Sequence, residues 1–314
     1  MTSGLPFDDF RALVGSLPAP RNIAKISERF DAFRGLHGNG GELEKLALWA
    51  AGWNANEPVL FVRPLVAVFA GTNALGGGQN SAANSQTQAM AAAATDGHAA
   101  VNALCAQREL GLKVFDLALG HPSGDIAVQP ALDERGCAAT MAFGMEAVSG
   151  GTDILGIGSF GRGASACAAA LLSACGGVPA DQLDNAWPGG EVLDRGHAER
   201  ALKLHKHHLA DPLEALRRLG SREIAAMAGA ILAARMERIP VILDGPSALA
   251  AASVLKAMNA DALGHCRYAG GQADAARSLG LETVTAIASG FDGGAGAAMA
   301  IGMVRDAIKV ASSL

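Results

Sequence analysis

The residues best placed to do chemistry gather around glycine-rich turns. Gly156-Ile157-Gly158-Ser159-Phe160-Gly161 spaces three glycines as GxGxxG, after a short run (153–155) that reads as a strand and before an Ala-rich stretch that reads as a helix. Free backbone amides at such a helix start can hold a phosphate, and Arg162 and Ser165 would add a positive charge and a hydroxyl. Conventional dinucleotide binding also needs a second strand and an acid about 20 residues on, whereas 176–184 reads as a loop. A phosphate cradle or a ligand-free tight turn remains.

A second junction, Gly290-Phe291-Asp292-Gly293-Gly294-Ala295-Gly296-Ala297, again follows a strand-like run and opens a helix. Asp292 is the only ionisable side chain between Glu282 and Arg305, so it is a candidate base or ribose ligand, with a helix cap as the alternative. In Val241-Ile242-Leu243-Asp244-Gly245-Pro246-Ser247 a buried strand ends in Asp244, facing a site or capping a helix. Two Gly-rich junctions in one sheet imply a crevice at its carboxyl edge. His205, His207 and His208 cannot share one helical face, so no metal site is expected. On spacing alone, His265 beside Cys266 reads as packing.

Strands expected at 59–70, 113–119, 153–158 and 241–243 alternate with helices at 85–110, 131–150, 161–175, 222–238 and 247–258, with further helices at 194–208 and 212–219. A weaker strand and helix after Gly264, a strand-like 282–288 and a final helix at 295–312 follow. The alternation predicts an α/β fold, a doubly wound, mostly parallel sheet covered on both faces. Short helices at 7–17, 21–33 and 42–51, with a Gly-rich turn at 35–41, open the chain as part of a small helical unit. The expected division is 1–55 for the N-terminal helical segment, 56–298 for a nucleotide-binding α/β domain and 299–314 for a C-terminal helix.

The chain has 314 residues, half of them hydrophobic, so a large core is available. A net charge of −5 without a basic patch argues against nucleic acid as a partner. No apolar run reaches the ~20 residues of a spanning helix, and no signal-like segment opens the chain, so a cytoplasmic protein with no membrane partner is expected. Five cysteines without a CxxC pair read as reduced, mostly buried thiols. The 40 glycines are about twice the usual ~7% and mark tight turns and close approaches.

Together these segments resemble the nicotinate-nucleotide:dimethylbenzimidazole phosphoribosyltransferase family, which makes the lower-ligand nucleotide of cobalamin. The resemblance runs from Pro18-Ala19-Pro20 through Leu43-Glu44, 97–102, Gly124-Asp125-Ile126-Ala127, 156–170, 223–245 and 280–297. It implies a doubly wound domain with a small helical domain and a site at the sheet's carboxyl edge. It also implies a homodimer and no cofactor; a heterodimer with an active paralogue is the alternative if the site residues have lost their chemistry. The substrates would be a small-molecule nucleotide and an aromatic base, the base displacing nicotinate at the ribose anomeric carbon with inversion.

The candidates for phosphate and ribose are Gly158, Ser159, Gly161, Arg162, Ser165, Arg195, Asp244, His265, Gly293, Gly294 and Gly296, of which Gly158, Gly161, Asp244, His265, Gly294 and Gly296 match positions of the resemblance, and the resemblance sets Met90 in the acceptor-base pocket. Several positions depart from the family pattern. Gly293 stands where the family has its general-base glutamate, Gly290 where it has arginine, and Ser159-Phe160 where it has Glu-Met. Thr72-Asn73-Ala74 replaces Asp-His-Gly, and Asp194 replaces a phosphate-binding lysine, with Arg195 adjacent. Asp292, one residue from the lost glutamate, is the expected base. The alternative is a nucleotide-binding homologue, or partner subunit, with impaired chemistry.

Overall fold

Short runs rich in Val, Ile, Leu and Phe, each followed by a helix, leave the backbone few options besides parallel strands joined by crossovers. The computed structural model describes residues 6–38, 40–54, 59–74, 82–179, 181, 183, 193–270 and 273–313. In chain order it contains α1 (Asp8–Gly15), α2 (Ala24–His37), α3 (Gly41–Trp53), β1 (Pro64–Ala70), α4 (Ala82–Thr95), α5 (Ala100–Arg108), β2 (Gly111–Asp116), α6 (Glu134–Met145) and β3 (Ile154–Phe160). Then come α7 (Ser165–Gly176), α8 (Arg195–His205), α9 (Pro212–Leu219), α10 (Arg222–Met236), β4 (Val241–Leu243), α11 (Pro246–Met258), β5 (Cys266–Tyr268), α12 (Ala273–Ser278) and α13 (Ala295–Ser313).

The sheet runs β2-β1-β3-β4-β5, every neighbouring pair parallel. Alternate strand residues serve opposite faces. Ala67, Phe69, Leu155, Ile157, Val241 and Leu243 join the core under α6, α7, α10 and α11. Val66, Val68, Ile154 and Ile242 face the layer of α3, α5 and α13. This is the expected doubly wound α/β architecture.

Small residues set the helix spacing. A Cβ at Gly144 would lie 1.9 Å from the Ala226 carbonyl oxygen, and one at Gly229 would lie 1.9 Å from that of Met141. α6 and α10 therefore touch backbone to backbone.

Several expectations need correction. The single helix expected at 85–110 is two helices, α4 and α5, because Gly97 turns at φ +85°. Asn102 holds that break, its Nδ2 donating to the Ala94 carbonyl at 2.9 Å and its Oδ1 accepting from the Ala99 amide at 2.9 Å. β3 extends two residues beyond the expected 153–158, since Ala70 on β1 pairs as far as Phe160. Gly156 and Gly158 therefore lie inside a strand and not in a phosphate-binding turn. The run 282–288 forms no strand and contributes one bridge, Thr283 to Tyr268. Part of the loop expected at 176–184 (180, 182 and 184), and Asn39 in the turn at 35–41, lie outside the described residues. The helix α13 runs unbroken across the expected boundary at 298/299 and packs on α3, α5 and β3.

Four of the five cysteines are buried and all five are free thiols. No helix among the described residues is long and apolar enough to cross a membrane.

Candidate functional site

At the carboxyl edge of the central strands three helices begin within one cleft: α7 after β3, α11 after β4, and α13 after the turn at 290–294. The lining includes Ser159, Gly161, Arg162, Ser165, Asp244, Ser247, Asp292, Gly293 and Gly294. Each helix start brings the positive end of its dipole to the same space, which favours an anion, although at α13 the Gly296 amide is already taken by Asp244.

Glycine makes the convergence possible. A Cβ at Gly158 would sit 2.2 Å from the Gly294 nitrogen, so only glycine on β3 lets the 293–294 turn lie against the strand. Gly293 and Gly294 adopt φ +74° and +82°, a region open to glycine at little cost. The Gly293 amide donates to the Ser159 carbonyl at 3.2 Å, and the Asp244 amide to that of Ile157 at 2.9 Å.

Two carboxylates and one guanidinium supply the charge. Asp244 Oδ2 accepts the Gly296 amide at 2.8 Å. Burial pushes its pKa up to about 6, opposed by the Gly296 and Ala297 amides and reinforced by nearby Asp292. Asp292 meets Arg162, with Nη2 to Oδ2 at 3.1 Å and both side chains mostly buried. The Arg162 backbone amide donates to Thr87 Oγ1 on α4 at 2.9 Å, linking the cleft to that helix. Arg162 Nε is buried without a hydrogen-bond partner among the described residues.

Gly293, the position where the resemblance sets the family's glutamate, is physically closed. A Cβ at Gly293 would lie 2.4 Å from Phe160 Cζ, so the Phe160 ring fills the space through which a longer side chain would leave. The nearest carboxylate on this turn is Asp292. Behind the cleft, Glu223 is fully buried at the start of α10. A Cβ at Gly71 would lie 2.1 Å from its Oε2, and one at Gly161 would lie 2.5 Å from its Oε1. The ends of β1 and β3 thus both close on one carboxyl group, which also takes a long contact from Asn73 Nδ2 at 3.5 Å.

Of the residues singled out in the sequence, Ser159, Gly161, Arg162, Ser165, Asp244, Asp292, Gly293 and Gly294 come together in the cleft. Five do not. Gly158 is buried in β3, where it makes room for Gly294. Gly296 lies in the first turn of α13 with its amide taken by Asp244. Arg195 donates to the Leu183 carbonyl and is not in the cleft lining. His265 lies at the opposite, amino edge of the sheet, fully buried, its Nε2 3.0 Å from the Ile231 carbonyl. Burial, with a contribution from Arg235, lowers its pKa to about 3, so it is a neutral packing residue. Met90 is half-buried against the apolar layer that includes α13, outside the cleft lining.

The sequence reading missed Ser247, Phe291, Thr87 and Glu223. Ser247 had a signal in the strand-Asp-Gly-Pro-Ser pattern that opens α11, whereas Thr87 and Glu223 reach the site only through tertiary contacts. No group of three or more His, Cys, Asp or Glu among the described residues is arranged to hold a metal ion.

A phosphoribosyltransferase family model matches residues 18–314. The chain is 48% identical to a nicotinate-nucleotide–dimethylbenzimidazole phosphoribosyltransferase of Allorhizobium ampelinum, over 97% of this chain and 93% of that protein. It is 49% identical to the one from Rhizobium rhizogenes, over 99% and 96%. Among solved structures, CobT from Thermus thermophilus superposes with a TM-score of 0.74 at 22% identity, covering 98% of this chain and 96% of that one. This last likeness is one of fold.

Proposed function

The chain belongs to the nicotinate-nucleotide–dimethylbenzimidazole phosphoribosyltransferase family, and from that premise we propose that it moves the phosphoribosyl group of nicotinate mononucleotide to a benzimidazole-type base. A ring nitrogen lone pair of the base attacks the anomeric carbon. The bond from that carbon to the nicotinate nitrogen breaks, and its electron pair neutralises the pyridinium. The proton on the other ring nitrogen of the base must then leave, and Asp292 is the acceptor we assign. The observation that carries this reading is the cleft itself: three helix starts around one space, with a carboxylate at its wall.

The 5′-phosphate is assigned to the amides at the start of α7 and to Arg162, with Ser165 and Ser247 as hydroxyl donors. Asp244 is assigned to shaping the start of α13, since its oxygens already accept amides there. The acceptor base is placed on the side of α4 that carries Thr87. The helices α2 and α3, in contact with each other and with α13, fit the small helical unit. The dimer rests on the resemblance.

One observation favours the second reading, a homologue that binds nucleotide without turnover: Phe160 closes the position where the family's glutamate would stand. Mixing the protein with nicotinate mononucleotide and 5,6-dimethylbenzimidazole, while following nicotinate release by chromatography and nucleotide affinity by calorimetry, separates the two. Release in step with a new ribosylated base supports the transferase. Binding without release supports the second reading, and neither would refute both.

A further inference from the structure

Arg162 is used incompletely by its present partner. It contacts Asp292 through one nitrogen, Nη2, at 3.1 Å, while its Nε–H is buried without a hydrogen-bond partner among the described residues. A buried unsatisfied donor is costly, and a guanidinium fork matches two oxygens at once. A phosphate entering the cleft offers three oxygens beside the amides at the start of α7. Asp292 faces the same guanidinium from the opposing turn, so carboxylate and phosphate compete for one cation. The Arg162 backbone is held independently by Thr87 Oγ1, which lets the side chain swing without moving the turn.

Resting on the transferase reading above, we propose that Arg162 exchanges Asp292 for the nucleotide's 5′-phosphate, so that nucleotide binding itself releases the Asp292 carboxylate to accept the proton of the incoming base. No bond other than hydrogen bonds changes in the exchange. Its consequence is order: the nucleotide enters first, and the base meets a freed carboxylate only in the binary complex. Arg162 is thus a positioning residue for Asp292 as well as a phosphate ligand.

The exchange predicts an energetic coupling between the two residues. Calorimetric titration with nicotinate mononucleotide, and separately with inorganic phosphate, is done on the wild type, D292N, R162Q and the double variant, with thermal unfolding confirming that each is folded. Removing the competing carboxylate should tighten nucleotide binding about three- to tenfold in D292N, the scale of one partly buried charge pair. That gain should vanish in the R162Q background, since no guanidinium remains to be released. If R162Q fails to fold, R162K serves: it keeps the charge, loses the fork, and should retain less than half of the gain.

Unchanged or weaker binding by D292N overturns the exchange. So does an equal gain with and without Arg162, which would reflect only the loss of a like charge near the phosphate. If the wild type binds nicotinate mononucleotide but the cycle is additive, only the exchange falls. If the folded wild type binds none, the transferase reading falls and the exchange with it.

Discussion

The two edges of the central sheet hold similar buried polar groups and use them in opposite ways. At the amino edge Asp153 Oδ2 accepts the Val62 and Arg63 amides at 2.6 and 2.8 Å, and Thr152 Oγ1 donates to the Arg63 carbonyl at 2.7 Å. His265 lies edge-on to Trp53, whose ring also carries the Arg235 guanidinium at 4.2 Å. These groups tie loops to strand starts. At the carboxyl edge Asp244, Asp292 and Arg162 line a cleft instead, because three helices start there around one space. Residue type alone does not separate a structural from a functional polar group, but the strand end it occupies does, since in open α/β sheets ligands sit beyond the carboxyl ends.

The largest effect that could break this comparison is on turnover. D292N should lower the rate of nicotinate release by about 10²- to 10⁴-fold, the usual scale for a positioned general base, with the thermal midpoint little changed. A rate within threefold of wild type would move the base elsewhere.

Backbone approach comes next. G158A places a Cβ 2.2 Å from the Gly294 nitrogen and should cost about 3 kcal/mol in chemical denaturation while weakening nucleotide binding. G150A, which meets nothing within 4 Å, should stay within about 0.5 kcal/mol. Placing at 293 the glutamate that the resemblance implies is expected to fail alone. G293E should destabilise by about 2 kcal/mol through its positive φ and its collision with Phe160, without raising turnover. Adding F160M should recover part of that loss.

A smaller effect lies in pH dependence, where the two edges have opposite signs. His265 has a folded pKa of about 3 against an ordinary 6.5, so its contribution is complete above pH 6.5 and is lost as pH falls towards 3. Asp244 has a folded pKa of about 6 against 3.8, so the folded state binds the extra proton between these values and stability falls as pH rises through that window. The two offset each other between pH 3.8 and 6, each with a limiting slope of about 1.4 kcal/mol per pH unit. Urea unfolding at pH 4 to 6 should show a steeper acid loss for D244N and a shallower one for H265Q. The smallest change is expected from T87V, which removes the acceptor of the Arg162 amide and should cost about 1 kcal/mol in nucleotide affinity.

Local chemistry made much of this legible. The helix expected at 212–219 has its observed bounds, with Pro212 at a first-turn position where its missing N–H costs nothing, and the apolar run before Asp244 gave β4 its own. The Gly-rich junctions marked the cleft because helix starts beside a sheet edge are a local property. The GxGxxG reading failed because strand length is decided by the neighbour: pairing with β1 carries β3 to Phe160 and absorbs two of the three glycines. For His265, spacing alone indicated packing, which is what the amino edge shows, whereas the resemblance placed it in the site. Glu223 opens a stretch that carried the resemblance, but nothing local set it beside the cleft, since its contacts with Gly71, Asn73 and Gly161 join segments at least 62 residues apart.

The most direct test is a crystal structure of the protein with nicotinate mononucleotide bound. The expected result is the 5′-phosphate against the amides that open α7, with the Arg162 guanidinium turned onto it and away from Asp292. A nucleotide bound away from the 159–165 and 291–294 turns would contradict the account.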